Sequence, residues 1–403
     1  MKYVVILSDG MAGRPLAELG GKTTMEAADK PVMDALAKVS ELGMVCTVPE
    51  GMAPGSDTAN LSVMGYDPKI YYTGRSPLEA LSIGIGMEDT DVSFRCNIVT
   101  LSEEDCSYEE RTMIDHSSGE ISTEEADVLL EALREGLRRD GYEFYTGVGY
   151  RHLLIVKEGK ITELTPPHDI LGKRVGDHLP EDPVLREMME KSYDILVHHP
   201  LNKKRREAGK RAANSAWFWG AGKRPSLTSF EEAHGKKGVM ISAVDLLKGI
   251  AVGAGMDRVI VEGANGGLHT NYTGKAQAAV KALTKDGYDF AYIHVEAPDE
   301  MGHQGIVKDK IAAIENVDKK VLETVVKGLK RAGEDFRILL LPDHPTPIEV
   351  RTHTGEAVPY LLYDSTSPKE GEDSYNEKTA AQTGNYEPEG HRLLRHLLQE
   401  GPC

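Results

Sequence analysis

Along this chain, short continuous apolar runs alternate with stretches in which apolar residues return every three or four positions. The runs predict strands buried on both faces: Tyr3–Leu7, Met44–Val48, Val239–Ser242, Arg258–Val261, Tyr288–Val295 (YDFAYIHV), Phe336–Leu341 and Pro359–Tyr363. The helical spacing predicts helices over Pro31–Leu42, where Val32, Leu36 and Val39 share a face and Gly43 is the terminator, and over Asp245–Val252, Gly274–Leu283 and Gly390–Leu398. The longest such stretch is Asp309–Ala332, with Ile311, Ile314, Val317, Val321, Val325 and Leu329 in register. Strand and helix in alternation predict an α/β fold, a mainly parallel sheet with helices on both faces.

The middle of the chain starts a second alternation. Residues 71–86 read as loop and carry Arg75. Asp91–Thr100 reads as a strand bearing Arg95 and Asn97, and a helix follows over Thr123–Arg139, capped by Ser122 or Thr123. Strands at Glu143–Val148 and His152–Lys157 flank Arg151. A proline-rich stretch then holds His168 and Asp169, followed by a helix over Pro183–His198 and a basic run from Lys203 to Arg211. Asn214–Gly220 is apolar and contains both tryptophans. These elements predict a smaller α/β domain over 88–230, inserted into a discontinuous domain of 1–87 and 231–403.

Composition narrows the partners. The net charge of -17 over 403 residues argues against general nucleic-acid binding, so an anionic substrate needs local positive charge or metal. With 28% charged and 40% hydrophobic residues the chain reads as a soluble globular protein. No window approaches a membrane span, so no membrane partner is expected. The first apolar run is too short for a signal peptide, and Cys46, Cys96, Cys106 and Cys403 show no paired spacing. Both features suit the reducing cytoplasm. The basic run reads equally as a solvated helix face or as an anion-attracting patch.

Chemistry-bearing residues gather where strands end. The Pro54-Gly55 turn runs into Ser56-Asp57-Thr58 and a short helix over Ala59–Met64. Unpaired backbone N–H groups at such a helix start favour an anion, and Ser56 there is either a capping residue or a nucleophile. Asp9 follows the first strand; Asp299 and His303 follow YDFAYIHV; Asp343 and His344 follow FRILLL; His353 lies beyond. Carboxylates with imidazoles suit a divalent transition metal. Together with Ser56, they are best explained by a two-metal site that clamps a phosphoryl group.

The stretches GSDTANLSVMGYDP, YYTGRSPLEA, FRCN and EAPDEMGHQG, with Asp343-His344 and His353, resemble the archaeal-type 2,3-bisphosphoglycerate-independent phosphoglycerate mutases of the alkaline phosphatase superfamily. The resemblance runs nearly the whole length. It implies an alkaline-phosphatase-like catalytic domain with an inserted cap domain. It also implies two divalent ions, manganese expected, with magnesium, zinc or cobalt as alternatives. One would be held by Asp299, His303 and His353, the other by Asp9, Ser56, Asp343 and His344. It further implies that Ser56 takes the phosphoryl of 3-phosphoglycerate and returns it to the 2-hydroxyl of the bound glycerate, under a cap that excludes water. The substrate is then a small phosphorylated carboxylate. For its carboxylate the cap offers Arg75, Arg95, Arg151 and Lys223, with Asn97, Asn202 and Asn214 as polar partners. His168 and Asp169 are the choices for general base. A homoserine kinase or another phosphoryl-transfer enzyme of the superfamily is the alternative, although the chain has neither a GxxxxGK[ST] loop nor a kinase-type GxGxxG before a helix. A non-catalytic metal- or anion-binding protein is the third reading.

Overall fold

The structure, a computed structural model, describes residues 1–400, so Cys403 lies outside the described residues. In chain order the strands are β1 (Lys2–Ser8), β2 (Glu41–Val45), β3 (Val92–Leu101), β4 (Met113–Asp115), β5 (Tyr142–Val148), β6 (Arg151–Val156), β7 (Ser215–Lys223), β8 (Gly238–Ile241), β9 (Asp257–Arg258), β10 (Phe290–Val295), β11 (Phe336–Leu341), β12 (Val358–Asp364) and β13 (Tyr386–Glu387). The chain divides into two compact units, Met1–Tyr72 with Ser226–Cys403, and Thr73–Pro225.

The first unit holds a mixed sheet in the order β13-β2-β12-β11-β1-β10-β8-β9. All neighbours are parallel except β12, which runs antiparallel to both β11 and β2. Every residue of β10, β11 and β12 is buried, which requires cover on both faces, as continuous apolar runs demand. β1 lies between β10 and β11, so the loops after these three strands leave the sheet side by side.

Local details depart from the sequence reading where packing overrides propensity. The helix from Pro31 ends at Ala37, not Leu42, and Leu42 and Gly43 belong to β2. Gly43 is required there because a Cβ would sit 2.7 Å from the Tyr360 ring on the adjacent β12. The long helical stretch is two helices, Val307–Asn316 and Glu323–Ala332, joined by a π-turn over Val317–Leu322. In that turn Asp318 accepts from the backbone N–H groups of Val32 (3.2 Å) and Met33 (2.6 Å), capping the helix Pro31–Ala37. The apolar run at 258–261 contributes only its first residue to β9.

In the second unit a wholly antiparallel sheet runs β4-β3-β6-β5, with β7 on the other side of β3. Helices Thr123–Gly136 and Pro183–Val197 pack on it, and Ser122 and Asp182 cap their first turns. This unit begins earlier than the expected insert of 88–230. Residues 75–82, within the stretch expected to be loop, are a helix. The helix Arg75–Ser82 buries Leu78 and Ala80, packs on β3 and β7, and ties Ser76 Oγ to Ser93 Oγ at 2.8 Å. The tryptophan segment is β7, full length to Lys223.

Candidate active site

The carboxyl ends of β1, β10 and β11 bring together three segments that carry candidate metal ligands, as open α/β sheets do for their sites. Asp9 follows β1, and Asp343 and His344 follow β11. Asp299 and His303 lie four residues apart on the helix Ala297–Gln304, and so on one face of it.

Asp299, His303 and His353 form one cluster, and Asp299 and His353 also group with His344 as side chains that could hold a metal ion. The Nε2 atoms of His303 and His353 are 3.0 Å apart, and they lie 3.1 Å and 3.5 Å from the two oxygens of Asp299. Neighbouring ligands around one tetrahedral ion, with bonds of about 2.0–2.1 Å, are roughly 3.3 Å apart. Hydrogen bonding to Asp299 pulls His303 up to about 9. Against the opposing effect of burial, those two imidazoles hold Asp299 well below the usual carboxylate range.

The second set is Asp9, Asp343, His344 and Ser56. From His344 Nε2, Ser56 Oγ is 3.2 Å away, Asp343 Oδ2 3.4 Å and Asp9 Oδ1 3.6 Å. His344 reaches toward both sets, and its ring lies 3.9 Å from that of His353. Burial, then the neighbouring Asp343 and Asp299, push Asp9 well above the usual range. Asp9 Oδ1 is buried with no hydrogen-bond partner. A cluster of buried carboxylates with an orphaned oxygen 3.6 Å from an imidazole nitrogen fits divalent cations chemically.

Ser56 is not the capping residue. It is the first residue of the helix Ser56–Val63, the cap position is the extended Gly55, and no side chain caps the helix. Its hydroxyl therefore faces His344.

Several residues that hold this arrangement gave no sequence signal. Asn60 Nδ2 donates to Asp343 Oδ2 (2.9 Å) and to the Ser56 carbonyl (2.8 Å), and Tyr292 Oη donates to Asn60 Oδ1 (2.6 Å). His294 Nε2 is 2.9 Å from Asp9 Oδ2, and its Nδ1 is 3.1 Å from Ser242 Oγ. Burial drives His294 down to about 3, so it is neutral and can serve Asp9 as a donor. Gly10, at φ 60°, donates its N–H to Asp343 Oδ1 at 3.2 Å; a Cβ there would lie 2.5 Å from Asp299 Oδ1. Their identities are ordinary core and turn residues, and only long-range contact reveals them.

The second unit gathers cations and rings. Glu79 bridges two arginines, accepting from Arg75 Nε at 3.2 Å and Arg95 Nε at 3.0 Å. The Arg95 guanidinium stacks 4.3 Å over Trp219, whose Nε1 donates to Asn97 Oδ1 at 3.0 Å. Arg151 lies 5.2 Å over Tyr150. His168 packs edge-on to Trp219 (5.3 Å) and to His116 (6.1 Å), with Asp169 3.6 Å from its Nε2. Burial, and beyond it the charges of His116, Arg95 and Arg75, lower His168. Glu79, His116, Tyr150 and Trp219 were not singled out by sequence.

Two expected cap contacts, Asn202 and Asn214, need correction. Asn202 is fully buried, donating to the carbonyls of Leu196 and Ala213 and accepting from Ala213 N–H, each at 2.8 Å. Asn214 pairs with both backbone groups of Leu101 (2.8 and 2.9 Å). Their amides are consumed in holding the helix Pro200–Glu207 and β7. Lys223 ends β7 exposed. Part of the basic run is paired within the unit, while Lys203 and Lys204 are exposed. Arg205 is buried against Glu125 and donates to Ser118 and Arg211 carbonyls, Arg206 pairs with Glu103, and Arg211 with Asp115.

Comparison with known proteins gives one family. A family profile described as 2,3-bisphosphoglycerate-independent phosphoglycerate mutase matches residues 37–202. The chain is 46% identical to the mutase of that name from Methanothrix thermoacetophila, covering 99% of this chain and 100% of the relative. It is 47% identical to a probable one from Geobacter sulfurreducens, with the same coverage. Among solved structures, the cofactor-independent phosphoglycerate mutase of Thermoplasma acidophilum aligns with TM-score 0.67 at 26% identity, over 99% of both chains.

Proposed function

The chain belongs to the 2,3-bisphosphoglycerate-independent phosphoglycerate mutase family, and we propose that it carries the phosphoryl group on Ser56 during its reaction. It is a phosphoglycerate mutase, interconverting 3- and 2-phosphoglycerate without the bisphosphate. Kinase readings are not favoured by relatives of this identity and coverage.

Ser56 Oγ gives up its proton and attacks phosphorus, forming the Oγ–P bond as the bond to the substrate oxygen breaks; that oxygen takes up a proton, leaving phosphoserine and glycerate. The glycerate turns, and its other hydroxyl takes the phosphoryl back. The carrying observation is Ser56 itself: its hydroxyl has no capping duty and stands 3.2 Å from His344 amid buried carboxylates. Two divalent ions, one held by Asp299, His303 and His353 and the other by Asp9, Asp343, His344 and Ser56, would supply charge neutralisation and a lowered serine pKa when bound. Manganese is the expected ion. His294 and Asn60 keep Asp9 and Asp343 turned toward the site.

The second unit is the cap and substrate-binding domain. Arg75, Arg95 and Arg151 bind the glycerate carboxylate, guanidinium being suited to bidentate contact, and Asn97 and Lys223 add polar partners. His168, kept neutral by burial and neighbouring cations, is the base for the glycerate hydroxyl, with Asp169 orienting it.

The test is turnover of 3-phosphoglycerate by purified protein with Mn²⁺ and no 2,3-bisphosphoglycerate, read through enolase beside an assay for free phosphate. Conversion that disappears in Ser56→Ala, with acid-stable label on the serine of quenched wild type, supports the reading. Conversion that survives the substitution sinks it.

A further inference from the structure

We propose that Thr346 is a positioning residue that locks the tautomer of His344 and ties the two ligand sets to each other; this rests on the two-ion reading above. His344 turns Nε2 toward Ser56, Asp343 and Asp9. For Nε2 to offer its lone pair to an ion, the ring proton must sit on Nδ1, which then needs an acceptor. Thr346 Oγ1 lies 3.3 Å from that Nδ1. The hydroxyl has one proton and two lone pairs, and its proton is directed at Asp299 Oδ1 in the other set. The result is a one-way chain: His344 Nδ1–H donates to Oγ1, and Oγ1–H donates to Asp299. A proton on Nε2 instead would leave Thr346 without its donor and turn an N–H on the candidate ion.

The surroundings leave Thr346 little freedom to do anything else. It is fully buried. Its backbone N–H donates to the Ala12 carbonyl (3.1 Å), and its own carbonyl accepts from the buried Lys310 Nζ (2.7 Å), which also holds the Ala12 carbonyl. Its Oγ1 sits 2.6 Å from where a Cβ on Gly10 would be, and its Cγ2 2.8 Å from one on Gly302. Those two glycines neighbour Asp9 and His303. Thr346 thus touches the segments carrying ligands of both sets, and its branched Cβ restricts it to few rotamers.

The test uses purified full-length protein stripped of metal, with Zn²⁺ as probe. Thr346→Val removes the hydroxyl at nearly constant shape; Thr346→Ser keeps it. Titration calorimetry in a competing chelator should show two zinc ions in wild type, an affinity loss of about 10- to 100-fold in Thr346→Val, the usual range for an outer-shell partner, and near wild-type binding in Thr346→Ser. In ¹⁵N-histidine-labelled, zinc-loaded wild type, His344 should carry its proton on Nδ1. Wild-type affinity for both ions in Thr346→Val, or equal loss in Thr346→Ser, overturns the proposal. If Thr346→Val does not fold, a proton found on Nε2 of His344 in wild type overturns it equally. Wild type that takes up fewer than two zinc ions overturns the two-ion reading itself, before either variant is consulted.

Discussion

The two units handle negative charge with opposite materials. In the first, the groups are short: Asp and His side chains with few torsions, Asp9, Asp343 and His344 within three residues of a strand end and Asp299 and His303 one turn apart on a helix. Backbone N–H groups of Gly10 and His344 fix Asp343 directly. In the second, the groups are long arginines whose heads are placed by other side chains, Glu79, Trp219 and Tyr150. Short ligands inherit rigidity from the main chain, whereas each arginine must be held against about 2 kcal/mol of rotamer entropy. The first arrangement should therefore fail abruptly when touched, and the second should detune by degrees.

The largest expected effect is at the rigid end. Ser56→Ala should lower kcat by about 10⁴-fold or more, as for loss of a nucleophile, while metal content and melting temperature stay near wild type. Residual turnover of several per cent would break the contrast between the units. Next, Arg95→Gln should raise KM for 3-phosphoglycerate by roughly 10²-fold through loss of a charge-assisted contact. Glu79→Gln, which only loosens the brace on Arg75 and Arg95, should raise KM by about tenfold with kcat little changed. A fall in kcat with KM untouched would place these residues in the chemical step instead.

A pH titration sharpens the picture of the first unit. His303 keeps its proton up to about pH 9 because Asp299 stabilises the imidazolium. An incoming ion must displace that proton, so Mn²⁺ affinity of the stripped protein should climb with pH toward 9 and release protons measurable in unbuffered solution. A flat affinity below that pH would contradict the assignment of His303. Smallest of all, Lys203→Glu with Lys204→Glu should change stability by less than about 0.5 kcal/mol and leave turnover intact, as for exposed charges. A clear loss of activity would revive the basic run as a working surface.

Which parts of this were readable in advance follows from the range of the interactions. Strands β1, β10 and β11 announce themselves because a strand buried on both faces must be apolar throughout. Asp9, Asp343 and His344 stand out because they interrupt such runs at the edge where sites form. The helix holding Asp299 and His303 did not: Pro298 in its first turn, Gly302 within it and Gly305 in its left-handed cap interrupt the apolar spacing by which a helix shows in a sequence. Leu42 and Gly43 were read as the end of a helix because nothing local tells of Tyr360, which lies opposite them.

The amino-acid sequence by itself determined the α/β class, the strand ends that carry chemistry and the residue types able to bind metal and phosphoryl groups. All of these rest on periodicity and on local backbone chemistry. Tertiary structure alone decided that Ser56 is free of capping, that Asn202 and Asn214 are spent on backbone, that Arg205, Arg206 and Arg211 are paired, and that Thr346 stands between the two ligand sets. Each of those depends on which distant group shares a buried hydrogen bond. That pairing carries no periodic signature, because it is set by where whole elements pack.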